Sequence, residues 1–225
     1  MRKRMRVIKY IHSCLLIEAN GDRILFDPGK FTFLSGEVKP ETFGNVSAVV
    51  ITHDHADHVD DEAVRRTLAR NPTAVLFTNA EARAAFARRG LEATVFEHGS
   101  RKVGGTTLRA VPAPHAPLLG AVPPRNIAYV VAETLLVPGD SYAAELDACR
   151  GIGTLALPVS APWAKELETA AFAERIAPKQ ILPIHDGFVK DDFLAGRHEN
   201  FAKYFASRGI AFRSLVKPGD AAELP

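Results

Sequence analysis

Three of the chain's eight histidines fall within six residues, in the segment Ala48-Val-Val-Ile-Thr-His-Asp-His-Ala-Asp-His58. An apolar run of strand character ends directly in His53, His55, Asp57 and His58. A lone histidine at a strand end is ordinarily a hydrogen-bonded structural residue. Three imidazoles and a carboxylate forced together are a different matter, because their lone pairs converge with nothing to share unless a cation is present. Neutral imidazole and carboxylate suit zinc, and also iron and manganese, while the lack of nearby thiolates argues against a structural zinc finger. The segment therefore reads as part of a catalytic metal centre.

Further ligands should come from other strands that end in His or Asp beside a Gly/Pro turn. Leu108-Arg-Ala-Val-Pro-Ala-Pro-His115 delivers His115, Leu135-Leu-Val-Pro-Gly-Asp140 delivers Asp140, and Ile181-Leu-Pro-Ile-His185 delivers His185. Strand ends are rigid platforms with exposed turns, which is how sheet-based sites are assembled. His98, beside Gly99, and His198, within a charged helical stretch, read as surface residues.

The elements that must position these groups are short. β-Branched and aliphatic runs predict strands over Arg6–Ile11, Leu15–Glu18, Arg23–Phe26, Ala48–Ile51, Ala74–Phe77, Thr107–Val111, Ile127–Val131, Thr134–Val137, Thr154–Leu157 and Gln180–Ile184. Helical spacing covers Asp60 to Arg70, Ala80 to Arg89, Lys165 to Ile176 and Asp191 to Ser207. In the first of these, Val64 and Leu68 share a face, and Asp60 and Asp61 stand where a cap and the helix dipole favour acids. The first half opens as an antiparallel meander and the second half repeats the theme of strands then helices. Two sheets packed face to face with helices outside, an α/β (α+β) class, is the architecture this order predicts. Asp27–Gly44 and Val111–Arg125 are rich in Gly and Pro, too long and broken for regular elements, and long loops in compact domains often carry function.

At 225 residues with 47% apolar content the chain can form one domain, 1–225, with a well-buried core. The net charge is only +2, and Arg2, Lys3, Arg4 and Arg6 account for all of that excess, so no basic footprint points to nucleic acid. The apolar stretch Cys14 to Ile17 is too short for the core of a signal peptide. No apolar run spans a bilayer. Cys14 and Cys149 form no CxxC pair and read as core fillers in a reducing compartment. These features predict a cytoplasmic protein acting on a small molecule, with no nucleic-acid or membrane partner. They do not indicate an oligomeric state.

The signature H-x-H-x-D-H at His53 to His58, followed in order by a His, a Gly-Asp and a late His, resembles the metallo-β-lactamase fold superfamily of hydrolases across nearly the whole chain. Ile11-His-Ser-Cys-Leu-Leu-Ile-Glu18 and Ile24-Leu-Phe-Asp-Pro28 resemble a compact branch containing relatives of ascorbate-6-phosphate lactonase and metal-dependent hydrolases. The resemblance implies a four-layer αββα sandwich and two divalent ions, zinc first, with Mn2+ or Fe also compatible. His53, His55 and His115 would hold one ion, Asp57, His58 and His185 the other, and Asp140 would bridge them. Asp27 resembles a buried acid that orients a ligand imidazole, and His12 either lines the pocket or fills the strand end.

Ions in such a cage make hydroxide available near pH ~7 and stabilise charge on a carbonyl or phosphoryl oxygen. Asp57 would accept or relay the proton. The expected reaction is hydrolysis of an ester, lactone, amide or phosphoester bond in a small, anionic metabolite. Two alternatives are an iron-dependent oxygenase or redox enzyme and, less favoured, a nucleic-acid-processing phosphodiesterase. Lys30-Phe-Thr-Phe-Leu34 with Phe43 forms an apolar flap candidate faced by Leu118 to Arg125, with Arg125 or Lys30 available to grip an anion. Trp163 borders the cleft or fills the core.

Overall fold

The computed structural model describes residues 5–224. Of the basic start, Arg2, Lys3 and Arg4 lie outside the described residues, and Arg6 pairs with Glu18 at 3.4 Å. The strands are β1 (Arg6–Lys9), β2 (Leu15–Ala19), β3 (Asp22–Phe26), β4 (Ala48–Val50), β5 (Val75–Thr78), β6 (Thr94–Val95), β7 (Gly99–Val103), β8 (Thr106–Pro112), β9 (Ile127–Val131), β10 (Leu135–Val137), β11 (Thr154–Pro158), β12 (Gln180–Ile184), β13 (Ala211–Phe212) and β14 (Ala221–Glu223). The helices are α1 (Lys30–Phe33), α2 (Asp61–Arg70), α3 (Ala80–Arg88), α4 (Glu166–Ile176) and α5 (Asp191–Ala206).

Two seven-stranded sheets run in the orders β14-β1-β2-β3-β4-β5-β6 and β13-β12-β11-β10-β9-β8-β7. Each begins as an antiparallel ribbon and turns parallel, from β3 onward in the first and from β10 onward in the second. The period of two along each strand builds the layers. On β9, Ile127, Tyr129 and Val131 join the core between the sheets, while Ala128 and Val130 face the other way into the layer shared with Phe172, Ala173 and Phe205 of α4 and α5. On β4, Ala48 and Val50 point inward, and Val49 packs in the outer layer with Val64 of α2 and Phe86 of α3. Three apolar layers between four layers of elements make the αββα sandwich.

The ten expected strands and four expected helices lie where the sequence predicts them, within a few residues, whereas β7 (Gly99–Val103), a five-residue strand, is not among them. Asp60 is the cap of α2, its carboxylate accepting the Ala63 amide at 2.9 Å. The loop Asp27–Gly44 contains α1 and a 3-10 turn at Pro40–Thr42, both short enough to escape a periodicity test. Phe43 is no flap residue: it is fully buried against Tyr10, with ring centroids 5.0 Å apart. His198 is also not at the surface. It is 4% exposed, bonds Ser214 Oγ through Nδ1 at 2.8 Å and lies edge-on to Phe212. His98 is exposed, and both cysteines are free and buried. Among the described residues no helix is long and apolar enough to cross a membrane.

One buried ion pair ties the first strand to the last long one. Lys9 Nζ donates to both oxygens of Asp186 at 3.0 and 2.8 Å, with the side chains 2% and 4% exposed. A pair this buried is costly to break from one side, because the remaining charge has no solvent to turn to. It anchors the turn that carries His185.

Candidate metal centre

All seven expected ligands, together with His12 and Asp27, meet at one edge of the sandwich, beyond the carboxyl ends of β3, β4, β8, β10 and β12. Open parallel sheets expose their binding crevices at that edge. Asp27, His12 and His185 take left-handed backbone conformations, with φ of 44°, 66° and 63°. Such conformations cost about 1–3 kcal/mol each and concentrate at functional sites. The surroundings hold them: the His185 amide donates to the His12 carbonyl at 3.1 Å. Asn126 clamps the neighbouring strand ends, donating to the carbonyls of Ala113 and Pro138 at 3.0 Å each and accepting the Asp140 amide at 3.2 Å.

The side chains fall into two groups, His53, His55, His115 and Asp140, and His12, Asp57, His58 and His185, in each of which the candidate donor atoms lie within 4.8 Å of one another. Asp140 stands between the groups. Its Oδ1 is 3.1 Å from His58 Nε2, and its Oδ2 is 3.1 Å from His185 Nε2 and 3.6 Å from His115 Nε2.

Hydrogen bonding sets the tautomers, and with them which nitrogen faces the centre. His58 Nδ1 donates to Asp27 Oδ2 at 2.8 Å, and His53 Nδ1 donates to Thr52 Oγ1 at 3.0 Å. Thr52 in turn donates its hydroxyl and its amide to Asp27, both at 2.8 Å. His115 and His185 use Nδ1 on the carbonyls of Ala116 and Ser160, each at 2.6 Å. In all four rings Nε2 is thereby left as an inward lone pair. His53 Nε2 lies only 3.0 Å from His55 Nδ1.

Among the described residues, the Nε2 atoms of His58, His115 and His185 and Oδ1 of Asp140 are buried without any hydrogen-bond partner. Each such orphan costs roughly 1–3 kcal/mol in a folded protein. Four of them converging on two points fit a pair of cations, and the imidazole and carboxylate donors are those that zinc, iron or manganese accept.

The electrostatics agree. Burial holds His53 well below the usual histidine range and lowers His55 and His115 too, which keeps these rings neutral and their lone pairs available. Burial also opposes charge on His58 and His185, yet Asp140 and Asp27 lift His58 well above its ordinary value, and Asp140 and Asp57 lift His185 to about 9. A pocket that draws a proton onto these rings is one that attracts positive charge.

His12 differs from the expected ligands in its outer partner. The Gly187 amide donates to His12 Nδ1 at 3.0 Å, which uses the lone pair there and leaves the proton of the neutral ring on Nε2, 3.1 Å from Asp57 Oδ2. Burial takes His12 down to about 4 despite Asp57, so the ring is neutral in use. His12 therefore donates to Asp57 and orients it, although it lies within ligand distance. Burial would raise the Asp57 carboxyl, but the bond from His12 and the nearby rings of His185 and His58 outweigh it and hold the group well below the carboxylate range.

Of the remaining expectations, Asp27 lies directly beneath His58. Asp27→Asn replaces an acceptor facing two donors with an amide, and the expected result is a metal affinity weaker by about 10–100-fold. Competition against a chromogenic chelator measures it, and unchanged affinity would remove Asp27 from the account. Arg125 is exposed and pairs with Glu97 at 2.7 Å. Lys30, Phe31 and Leu34 do line the cleft over the centre, opposite Leu118. Trp163 borders that cleft and donates from Nε1 to Asp140 Oδ2 at 3.1 Å. Thr52 and Asn126 carry no sequence signal, since each is one polar residue whose partners come from other strands.

Comparison with known proteins agrees with this geometry. Residues 6–185 match the model of the beta-lactamase superfamily domain. Protein Rv0786c of Mycobacterium tuberculosis is 33% identical over 199 residues, covering 84% of this chain and 87% of that one. A UPF0173 metal-dependent hydrolase of Pyrococcus furiosus is 28% identical, covering 95% and 96%. A solved metallo hydrolase of Ignicoccus hospitalis superposes with a TM-score of 0.77 over 99% of both chains at 20% identity. With its paired sheets and its His/Asp clusters at one edge, the chain belongs to the metallo-β-lactamase superfamily of hydrolases.

Proposed function

We propose that this chain is a hydrolase working with two divalent ions, zinc first. His53, His55 and His115 would hold one ion, Asp57, His58 and His185 the other, with Asp140 shared. The observation that carries this reading is the set of buried donor atoms without hydrogen-bond partners, converging at two adjoining points. When bound, the ions supply Lewis acidity that ionises water near neutral pH and polarises a carbonyl or phosphoryl oxygen.

The chain's own residues do the rest. Asp27 and Thr52 fix the rings of His58 and His53, and the carbonyls of Ala116 and Ser160 fix those of His115 and His185. His12 holds Asp57 Oδ2, so that Asp57 meets the cleft in one orientation and accepts a hydrogen bond from the attacking water. Leu118, Phe31 and Trp163 narrow the approach and exclude bulk water.

The test is reconstitution. Protein stripped with a chelator and reloaded with zinc, manganese or iron is assayed on lactones, carboxylic esters, thioesters, lactams and phosphodiesters. Hydrolysis of at least one class should return in step with metal, up to two equivalents. Iron uptake with oxygen consumption and no hydrolysis would replace the reading with the redox alternative.

A further inference from the structure

The cleft over the centre is polar at its floor and apolar along its walls. His55 and Asp57, the two partly exposed members of the centre, open onto it, and the walls above them include Phe31, Leu34, Leu118 and Phe188. Its volume of about 480 Å3 is more than a scissile group and a water molecule fill, and clefts of this size hold small-molecule ligands.

The apolar walls serve no core. Leu34 is 73% exposed and Phe188 44%. Leu119, next to Leu118, is fully exposed at the tip of the turn that Leu118 and Ala121 close, where Gly120 takes φ 69°. Turn tips ordinarily carry polar residues. Of the eight large apolar side chains exposed among the described residues, Leu34 and Phe188 belong to this one opening and Leu119 adjoins it. Single exposed apolar residues need no account, but a group of them around a cleft marks a binding surface.

The aromatic part of the wall stands in a fixed relation to the centre. Phe31 and Phe188 meet edge to face, with centroids 5.7 Å apart, and flank the His12 ring at 5.0 and 5.3 Å. Phe188 also lies 5.5 Å from the ring of His185. The wall therefore begins beside the group of Asp57, His58 and His185 and continues outward to exposed Leu34. Trp163, bonded to Asp140 Oδ2 at 3.1 Å and backed by the Tyr142 ring at 4.9 Å, separates this cleft from the hollow against α4.

We infer that the substrate is amphiphilic. The acyl or phosphoryl group that reacts faces the centre, and an aliphatic chain of several carbons lies along Phe31, Phe188, Leu34 and Leu118. The inference rests on the hydrolase reading above and adds the chain to it. The reacting end is free to be anionic, since paired cations favour negative charge there and Lys30 brings a further positive charge to the cleft. What the walls recognise is the chain.

n-Alkylphosphonates from methyl to octyl test this, because the phosphonate head suits the cations and the carbon–phosphorus bond is not hydrolysed. Binding is read apart from turnover, on the metal-loaded and the metal-stripped full chain, through the emission of Trp163, the chain's single tryptophan. With metal present we expect Kd to fall roughly two- to fourfold per added methylene until the chain reaches the rim. Phe188→Ser and Leu34→Ser should each reduce the total gain several-fold, and folding should survive because both side chains are exposed. A series that is flat, or that never binds while the hydrolysis assays show turnover, overturns the amphiphilic substrate alone. A gain untouched by both variants also overturns it, since the chain then lies elsewhere. Equal affinity with and without metal overturns the placement of the head at the centre, and the hydrolase reading falls with it if protein holding two metal equivalents hydrolyses none of the substrate classes assayed.

Discussion

Asp140→Asn should bind at most one of the two ions and lose activity by more than about two orders of magnitude, beyond the loss expected for a residue that merely supports a ligand. Asp140 presents one oxygen to His58 and the other to His185 and His115, while the Trp163 indole donates to the latter oxygen. An asparagine would keep its oxygen toward that indole, and its amide would then face the His58 lone pair and occupy it. The substitution removes a negative charge from between two cations and blocks a donor at the same time. Folding should survive, since the variant is nearly isosteric. A ligand that binds only the native state raises its melting temperature. Chelator should therefore lower the Tm of the parent protein and lower that of Asp140→Asn by clearly less. His55→Ala should show the same pattern with a smaller effect on metal content, because it removes one partly exposed ligand. Full metal content and retained turnover in Asp140→Asn would contradict the shared-carboxylate arrangement.

Gly29→Ala should be nearly as damaging, although residue 29 bears no functional group. Its backbone, at φ −81° and ψ 172°, is open to any residue, so strain is not the obstacle. A Cβ there would lie 1.8 Å from the Asp57 carbonyl oxygen and 2.6 Å from the His58 amide nitrogen. The neighbouring backbone leaves little room to retreat, because the Lys30 amide donates to the Ala56 carbonyl at 2.8 Å and the Asp60 amide to the Pro28 carbonyl at 3.0 Å. A methyl group must push the loop that carries His55, Asp57 and His58 outward by an ångström or more. Overpacking of this kind costs about 1–3 kcal/mol, and a displacement of that size can cost about a hundredfold in rate. Thermal unfolding of metal-free protein and metal titration together measure it. An alanine variant with unchanged Tm and affinity would mean that the two loops do not touch as described.

Much of this was legible in the sequence because strand ends and ligands coincide. The runs before His53, Asp140 and His185 are buried on both faces, so they read as strands from apolar content alone, while β8 before His115 alternates buried and partly exposed residues, and the polar residue after each run marks the site edge. The edge strands carried no such signal. β7 reads Gly-Ser-Arg-Lys-Val with a single buried residue, and β6, β13 and β14 are two or three residues long. Edges are kept short and charged to discourage pairing with other chains, which also hides them from pattern reading. His198 was hidden by its charged neighbours Arg197 and Glu199, although Leu194, His198, Phe201 and Phe205 follow the helical stripe that α5 turns to the core. Contacts such as Lys9 with Asp186, or Gly187 with His12, join residues far apart in the chain, and no local pattern foretells them.

The central claim is that two cations occupy the two His/Asp groups. Anomalous diffraction from crystals of the purified, metal-loaded protein tests it most directly. The account predicts two peaks, one bounded by His53, His55 and His115 and the other by Asp57, His58 and His185, with Asp140 touching both and His12 Nε2 turned to Asp57. A single peak, peaks away from these residues, or His12 found as a ligand in place of one of them would contradict it.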